Sequence, residues 1–124
     1  MRRTTVMMAL AVVLVPAAAQ AMTVKEFLAK ADALKAQGVL ALASPDVGLL
    51  RQEVMQASDA YRAGLAAQIA AGRKPSSCPP PKGTAKVTSD DIIKEFKSLP
   101  PGRQKASVKD AFAAFMTKRY PCKA

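Results

Sequence analysis

The sequence predicts a small all-α fold, a bundle of about four helices with one disulfide. Three observations predict it. Apolar residues recur at helical spacing in four stretches, and almost nothing alternates as a strand would. The prolines of the second half cluster between those stretches, where they act as breaks. The only two cysteines, Cys78 and Cys122, belong to a chain headed by an export-type leader, and a lone thiol pair in an exported protein forms a disulfide. Its loop of about 45 residues is a restraint that chain entropy rates at roughly 4 kcal/mol.

The leader has three parts. Arg2 and Arg3 make a short positive start, Val6 to Val15 is an almost unbroken apolar run, and Ala17-Ala18-Ala19-Gln20-Ala21 supplies small residues for a signal peptidase. Residues 1–21 are therefore expected to be a signal peptide, cleaved between Ala21 and Met22, with 22–124 as a single helical domain. The apolar run is too short to span a bilayer and Pro16 interrupts it. No second such run follows, so no stable membrane insertion is expected, and the expected address is the periplasm.

The first helix opens at Thr23-Val24-Lys25-Glu26, which has the form of a capping box. Phe27, Leu28, Ala31 and Leu34 then recur at helical spacing, and Gly38 is a natural stop. An apolar link, Val39 to Ala43, leads to Ser44-Pro45-Asp46: an N-cap, a proline at the first helical position and an acid in the first turn. The second helix is expected from about Pro45 to Ala71. Its seam is Val47, Leu50, Val54, Ala57, Tyr61 and Gly64 or Leu65, and the small residues Ala57, Ala60, Gly64 and Ala67 would admit a close neighbour. That seam serves a dimer as well as a core.

Arg73 to Lys86 holds four prolines and Gly83, so an extended connection is expected, stiffened by Pro79, Pro80 and Pro81. Thr88-Ser89-Asp90-Asp91 opens the third helix, which buries Ile92, Ile93, Phe96 and Leu99 and stops at Pro100-Pro101-Gly102. The fourth starts near Lys105 to Ser107, where Ser107 to Asp110 is a weaker capping box, and runs through Phe112, Phe115 and Met116 to Arg119.

Charge separates the two halves. Met22 to Ala71 carries five charges of each sign, whereas Gly72 to Ala124 carries twelve Lys and Arg against four Asp and Glu. Several function classes are disfavoured. With no histidine, Ser-His, Cys-His and His-metal chemistry are out of reach, and the cysteines lack CxxC spacing. Asp90 and Asp91 sit where acids serve as caps, and no glycine-rich phosphate loop is present. The sequence therefore predicts no enzyme and no cofactor or metal. The basic residues are spread over loops and helix faces without a stacking platform, so no nucleic-acid partner is expected. An acidic protein, anionic headgroups or cell-wall polymers remain as partners for the basic half.

The cysteine followed by prolines at Cys78, the capped helix Ser89-Asp90-Asp91-Ile92-Ile93, the Leu99-Pro100 stop and the ending Arg119-Tyr120-Pro121-Cys122 form a pattern. Over roughly residues 61–122 it resembles the Rap/Tai family of immunity proteins, small secreted helical proteins of Gram-negative bacteria. The resemblance implies a disulfide between Cys78 and Cys122. It also implies a periplasmic protein, often a homodimer, that binds and inhibits a peptidoglycan amidase effector of type VI secretion. Many members carry a further cysteine pair in the first half, and Met22 to Ala71 has none.

An inhibitor of that kind needs a stiff inserting element, because little entropy is then lost on binding. Two proline-rich connections fit: Arg73-Lys74 through Pro79, Pro80 and Lys82, and Pro100-Pro101-Gly102-Arg103 with Lys105. Arg73, Lys74, Pro79, Pro80, Lys82, Arg103 and Lys105 are thus the candidate partner-binding residues. The competing reading is a non-catalytic structural or accessory protein, chaperone-like or envelope-associated, that sets its basic half on anionic surfaces.

Overall fold

Capping chemistry sets where each helix begins. The structure, a computed structural model, describes residues 21–123, so the expected leader's charged start and apolar run lie outside the described residues. Helix α1 (Val24–Gln37) opens on a complete capping box. The Thr23 hydroxyl accepts from the Glu26 N–H at 3.1 Å, and the Glu26 carboxylate accepts from the Thr23 N–H at 3.3 Å. It ends at Gly38, whose φ of 58° is accessible to glycine at least cost.

Helix α2 (Pro45–Ala70) starts with Ser44 accepting from the Asp46 N–H at 3.3 Å and with Pro45 at its first position. Helix α3 (Ser89–Ser98) has a second complete box, Thr88 with Asp91. The Thr88 N–H and then the Thr88 hydroxyl bond the Asp91 side, and with help from the Arg119 charge they hold its carboxyl below the ordinary carboxylate range. Helix α4 (Val108–Arg119) has half a box: Ser107 accepts from the Asp110 N–H at 3.1 Å, without the return bond.

Two joints are more ordered than the sequence indicates. The apolar link expected at Val39 to Ala43 is a 3-10 segment, Gly38–Ala43, and a second one, Arg103–Lys105, precedes α4. In both, tight i to i+3 bonds let a short stretch satisfy its own backbone between helices. The α4 N-terminus is also tied to the start of the chain. Val24 N–H donates to the Ala106 carbonyl at 2.9 Å and Val108 N–H to the Met22 carbonyl at 2.8 Å, which makes an isolated antiparallel bridge at Thr23 and Ser107.

The buried apolar residues form one cluster fed by all four helices: Val24, Phe27 and Leu28 from α1, Leu50, Ala57, Tyr61 and Leu65 from α2, Ile92 and Phe96 from α3, and Val108, Phe112, Phe115 and Met116 from α4. The α2–α4 pair is the most extensive contact. Ala57 is fully buried there, and Tyr61 meets Phe112 edge to face at 6.2 Å. Close approach is confined to the row Ala57, Tyr61, Leu65. Ala60, Gly64 and Ala67 of the expected small-residue stripe are exposed, because they lie on the adjacent row of α2. Tyr61 and Leu65 are thereby committed to the core, not to a dimer seam.

Candidate partner-binding site

The connection from Arg73 to Lys86 contains no helix, yet it is fastened along most of its first half. Gly72, with φ of 73°, turns the chain out of α2, and Arg73 N–H returns a bond to the Gln68 carbonyl at 2.9 Å. Gln68 then holds Ser76 twice: its Oε1 accepts from the Ser76 N–H at 2.7 Å and its Nε2 donates to Ser76 Oγ at 3.2 Å. Arg62 donates to the Pro80 carbonyl at 3.1 Å, and Lys82 pairs with Asp59 at 3.1 Å. Prolines supply no N–H of their own, so these side chains from α2 do the fastening.

Across the connection, α4 supplies the other anchor. Cys78 and Cys122 are disulfide-bonded, with their Cα atoms 4.9 Å apart, and the Cys78 N–H donates to the Tyr120 carbonyl at 2.9 Å. Between the two anchors Ser77 is 1 % exposed, the one buried polar residue among the described residues. Its Oγ lies 2.6 Å from the Tyr61 hydroxyl and donates to the Tyr120 carbonyl at 2.9 Å. This network gives each buried oxygen a partner.

The Ser77–Tyr61 pair was not legible as a site in the sequence. The available signal was a lone tyrosine in an aliphatic seam, since a buried tyrosine hydroxyl generally finds a partner. Ser77→Ala is expected to cost about 1–3 kcal/mol, because it strands the Tyr61 hydroxyl in the interior and leaves the Tyr120 carbonyl with the Cys78 N–H alone. Urea melts of Ser77→Ala, Tyr61→Phe and the double variant measure this. An additive pair of costs, rather than a smaller combined cost, would show that the two hydroxyls do not act together.

The candidate residues separate into groups. Arg73 and Lys74 are exposed at the α2 exit and make no ion pair among the described residues. Pro79 and Pro80 are half-buried, and Lys82, although exposed, has its charge opposed by Asp59. Arg103 and Lys105 are exposed on the second 3-10 segment, which packs on α1. No hydrogen bond or ion pair among the described residues joins them to the 73–82 connection.

Charge in the basic half is unevenly neutralised. Lys97, Lys118 and Arg119 pair with Asp32, Glu95 and Asp91 respectively. Lys86, Lys94, Lys109 and Lys123 join Arg73, Lys74, Arg103 and Lys105 as cations without an ion pair among the described residues. Exposed pairs contribute about 0–1 kcal/mol each, so this pairing adds little to stability and leaves the half with a surplus of positive charge. Among the described residues no three His, Cys, Asp or Glu are grouped to hold a metal, and no helix is long and apolar enough to cross a membrane. No protein-family model, curated protein or solved structure matches the chain.

Proposed function

We propose that this chain is a periplasmic immunity protein of the Rap/Tai type, which binds a peptidoglycan amidase effector of type VI secretion and occludes its cleft. The observation that carries the reading is the fastened connection. Gln68, Arg62, Tyr61 and the Cys78–Cys122 bond hold the 73–80 connection, while Arg73 and Lys74 stay exposed and make no ion pair among the described residues. A loop already held in one conformation loses little entropy on insertion, and its free cations favour an acidic cleft rim. The disulfide suits an oxidising compartment such as the periplasm.

The test is protection. Cells that receive a type VI amidase in the periplasm are expected to survive when they export this chain, and the two proteins are expected to co-purify at fixed stoichiometry. Reversing both charges in an Arg73→Glu, Lys74→Glu variant is expected to slow association about tenfold or more at low salt, with the difference shrinking as salt rises. Failure to bind or neutralise any amidase of that class sinks the proposal. The free cations of the basic half also favour the accessory reading, in which pelleting with anionic cell wall at low salt replaces protection as the positive result.

A further inference from the structure

One face of the molecule has no role in the inhibitory reading. A groove of about 470 Å³ runs between α1, α2 and α3, on the side that α4 does not cover. Phe27, Leu50 and Ile92 of the core form its floor, and the half-buried Leu34, Val54 and Ile93 form its walls. Two polar residues line it, Ser89 and Arg51. Arg51 is exposed and makes no ion pair among the described residues, in contrast to Lys30 of α1, which pairs with Asp46 at 3.5 Å.

The apolar surface continues beyond the groove. Met55, one turn along α2 from Arg51, lines it and is 60 % exposed. The 3-10 segment that joins the α1 and α2 walls carries Val39, Leu40 and Leu42 at 83, 75 and 84 % exposure. Single exposed aliphatics are ordinary, but a run of them beside an apolar groove marks a binding surface.

We infer that this groove binds a free single-chain amphiphile with an anionic head, an alkyl carboxylate or alkyl phosphate, with its chain on the apolar floor and its head at Arg51. The size suits a small ligand, since such sites typically measure about 300–1,000 Å³. Charge complementarity selects the head group. The lining holds a single charged side chain, that charge is positive, and no acid among the described residues pairs with it. An apolar chain with a neutral or cationic head leaves Arg51 unanswered or opposed. The site is formed by the uncharged-on-balance first half and α3, away from Arg73 and Lys74, so it stands or falls apart from the inhibitory proposal.

The experiment titrates the full exported chain with monomeric dodecanoate, followed by displacement of an apolar fluorophore, and repeats it with dodecylammonium. Saturable binding of dodecanoate at one equivalent is expected, with dodecylammonium much weaker. Arg51→Gln is expected to weaken dodecanoate about fivefold, as suits an exposed ion pair. Arg51→Glu is expected to invert the preference toward dodecylammonium. Met55→Glu, on an exposed wall position where it does not disturb the core, is expected to weaken dodecanoate roughly tenfold while helicity and melting temperature stay unchanged.

Four results overturn the inference: no saturable binding, equal affinity for both head groups, binding to phosphatidylglycerol vesicles without binding to monomeric dodecanoate, or a dimer in light scattering that Met55→Glu dissociates and dodecanoate does not. The third assigns the face to a bilayer and the fourth to a second copy.

Discussion

Serine in place of Cys78 or Cys122 is expected to lower stability by about 2–5 kcal/mol, and a reductant should reproduce the loss in the unsubstituted protein. The bond joins residues 44 apart, so reducing it releases a long loop into the unfolded ensemble. In a domain of this size each kcal/mol moves the melting temperature by about 4–8 °C, so the shift is well above measurement error. The expected loss is not purely entropic. The bond fixes Cys78 beside Tyr120, and the Ser77 hydrogen bonds depend on that register. The single and double serine variants should therefore melt together, and a melting temperature indifferent to reductant contradicts the account. The same variants should lose protection in the immunity assay, because the connection that presents Arg73 and Lys74 loses one of its anchors.

Phe96→Ala is expected to cost about 3–5 kcal/mol, the usual range for deleting a buried ring. Phe96 is fully buried and meets Phe27 edge to face at 5.5 Å, the aromatic contact that ties α3 to α1. A domain of this kind has about 5–15 kcal/mol in hand, so the variant approaches the threshold for folding. Phe96→Leu should recover most of the loss, since it refills much of the volume. Chemical denaturation with a secondary-structure probe distinguishes the cases. A cost under about 1 kcal/mol for the alanine variant means that α1 and α3 close over the hole, and the dodecanoate groove between them should then change affinity as well.

What was legible in the sequence is what is decided locally. Thr23, Ser44, Thr88 and Ser107 all cap helices as their spacing indicates, because a cap is a bond between residues two or three apart. Phe27, Leu50, Tyr61, Phe96 and Phe112 lie in the core for a similar reason, since helical period alone assigns their faces. The disulfide was legible because the chain has only two cysteines and its first residues have the pattern of an export leader.

The rest depends on contacts between distant residues. Nothing near Ser77 marks it as buried: it follows an exposed serine in a proline-rich loop, and its partners Tyr61 and Tyr120 come from α2 and the end of α4. Lys82 resembles Arg73 and Lys74 in sequence, but Asp59, 23 positions away, opposes its charge. Gly64 and Ala60 share the composition of Ala57, and only the direction of α4's approach decides which of them is covered. The open groove was hidden for the same reason. Leu34, Val54 and Ile93 fit a core stripe, and the sequence does not show that α4 leaves them uncovered.

The bond between Cys78 and Cys122 also changes what proteolysis can do. It turns the backbone from 78 to 122 into a covalent ring that contains α3 and α4. One cut inside that ring, at the Pro81–Thr84 turn for example, opens it without releasing a fragment. Such a nicked molecule keeps every residue, gains the mass of one water and separates into two pieces only under reducing conditions. Within the ring a single clip is therefore survivable, and two are needed there to lose α3 or α4.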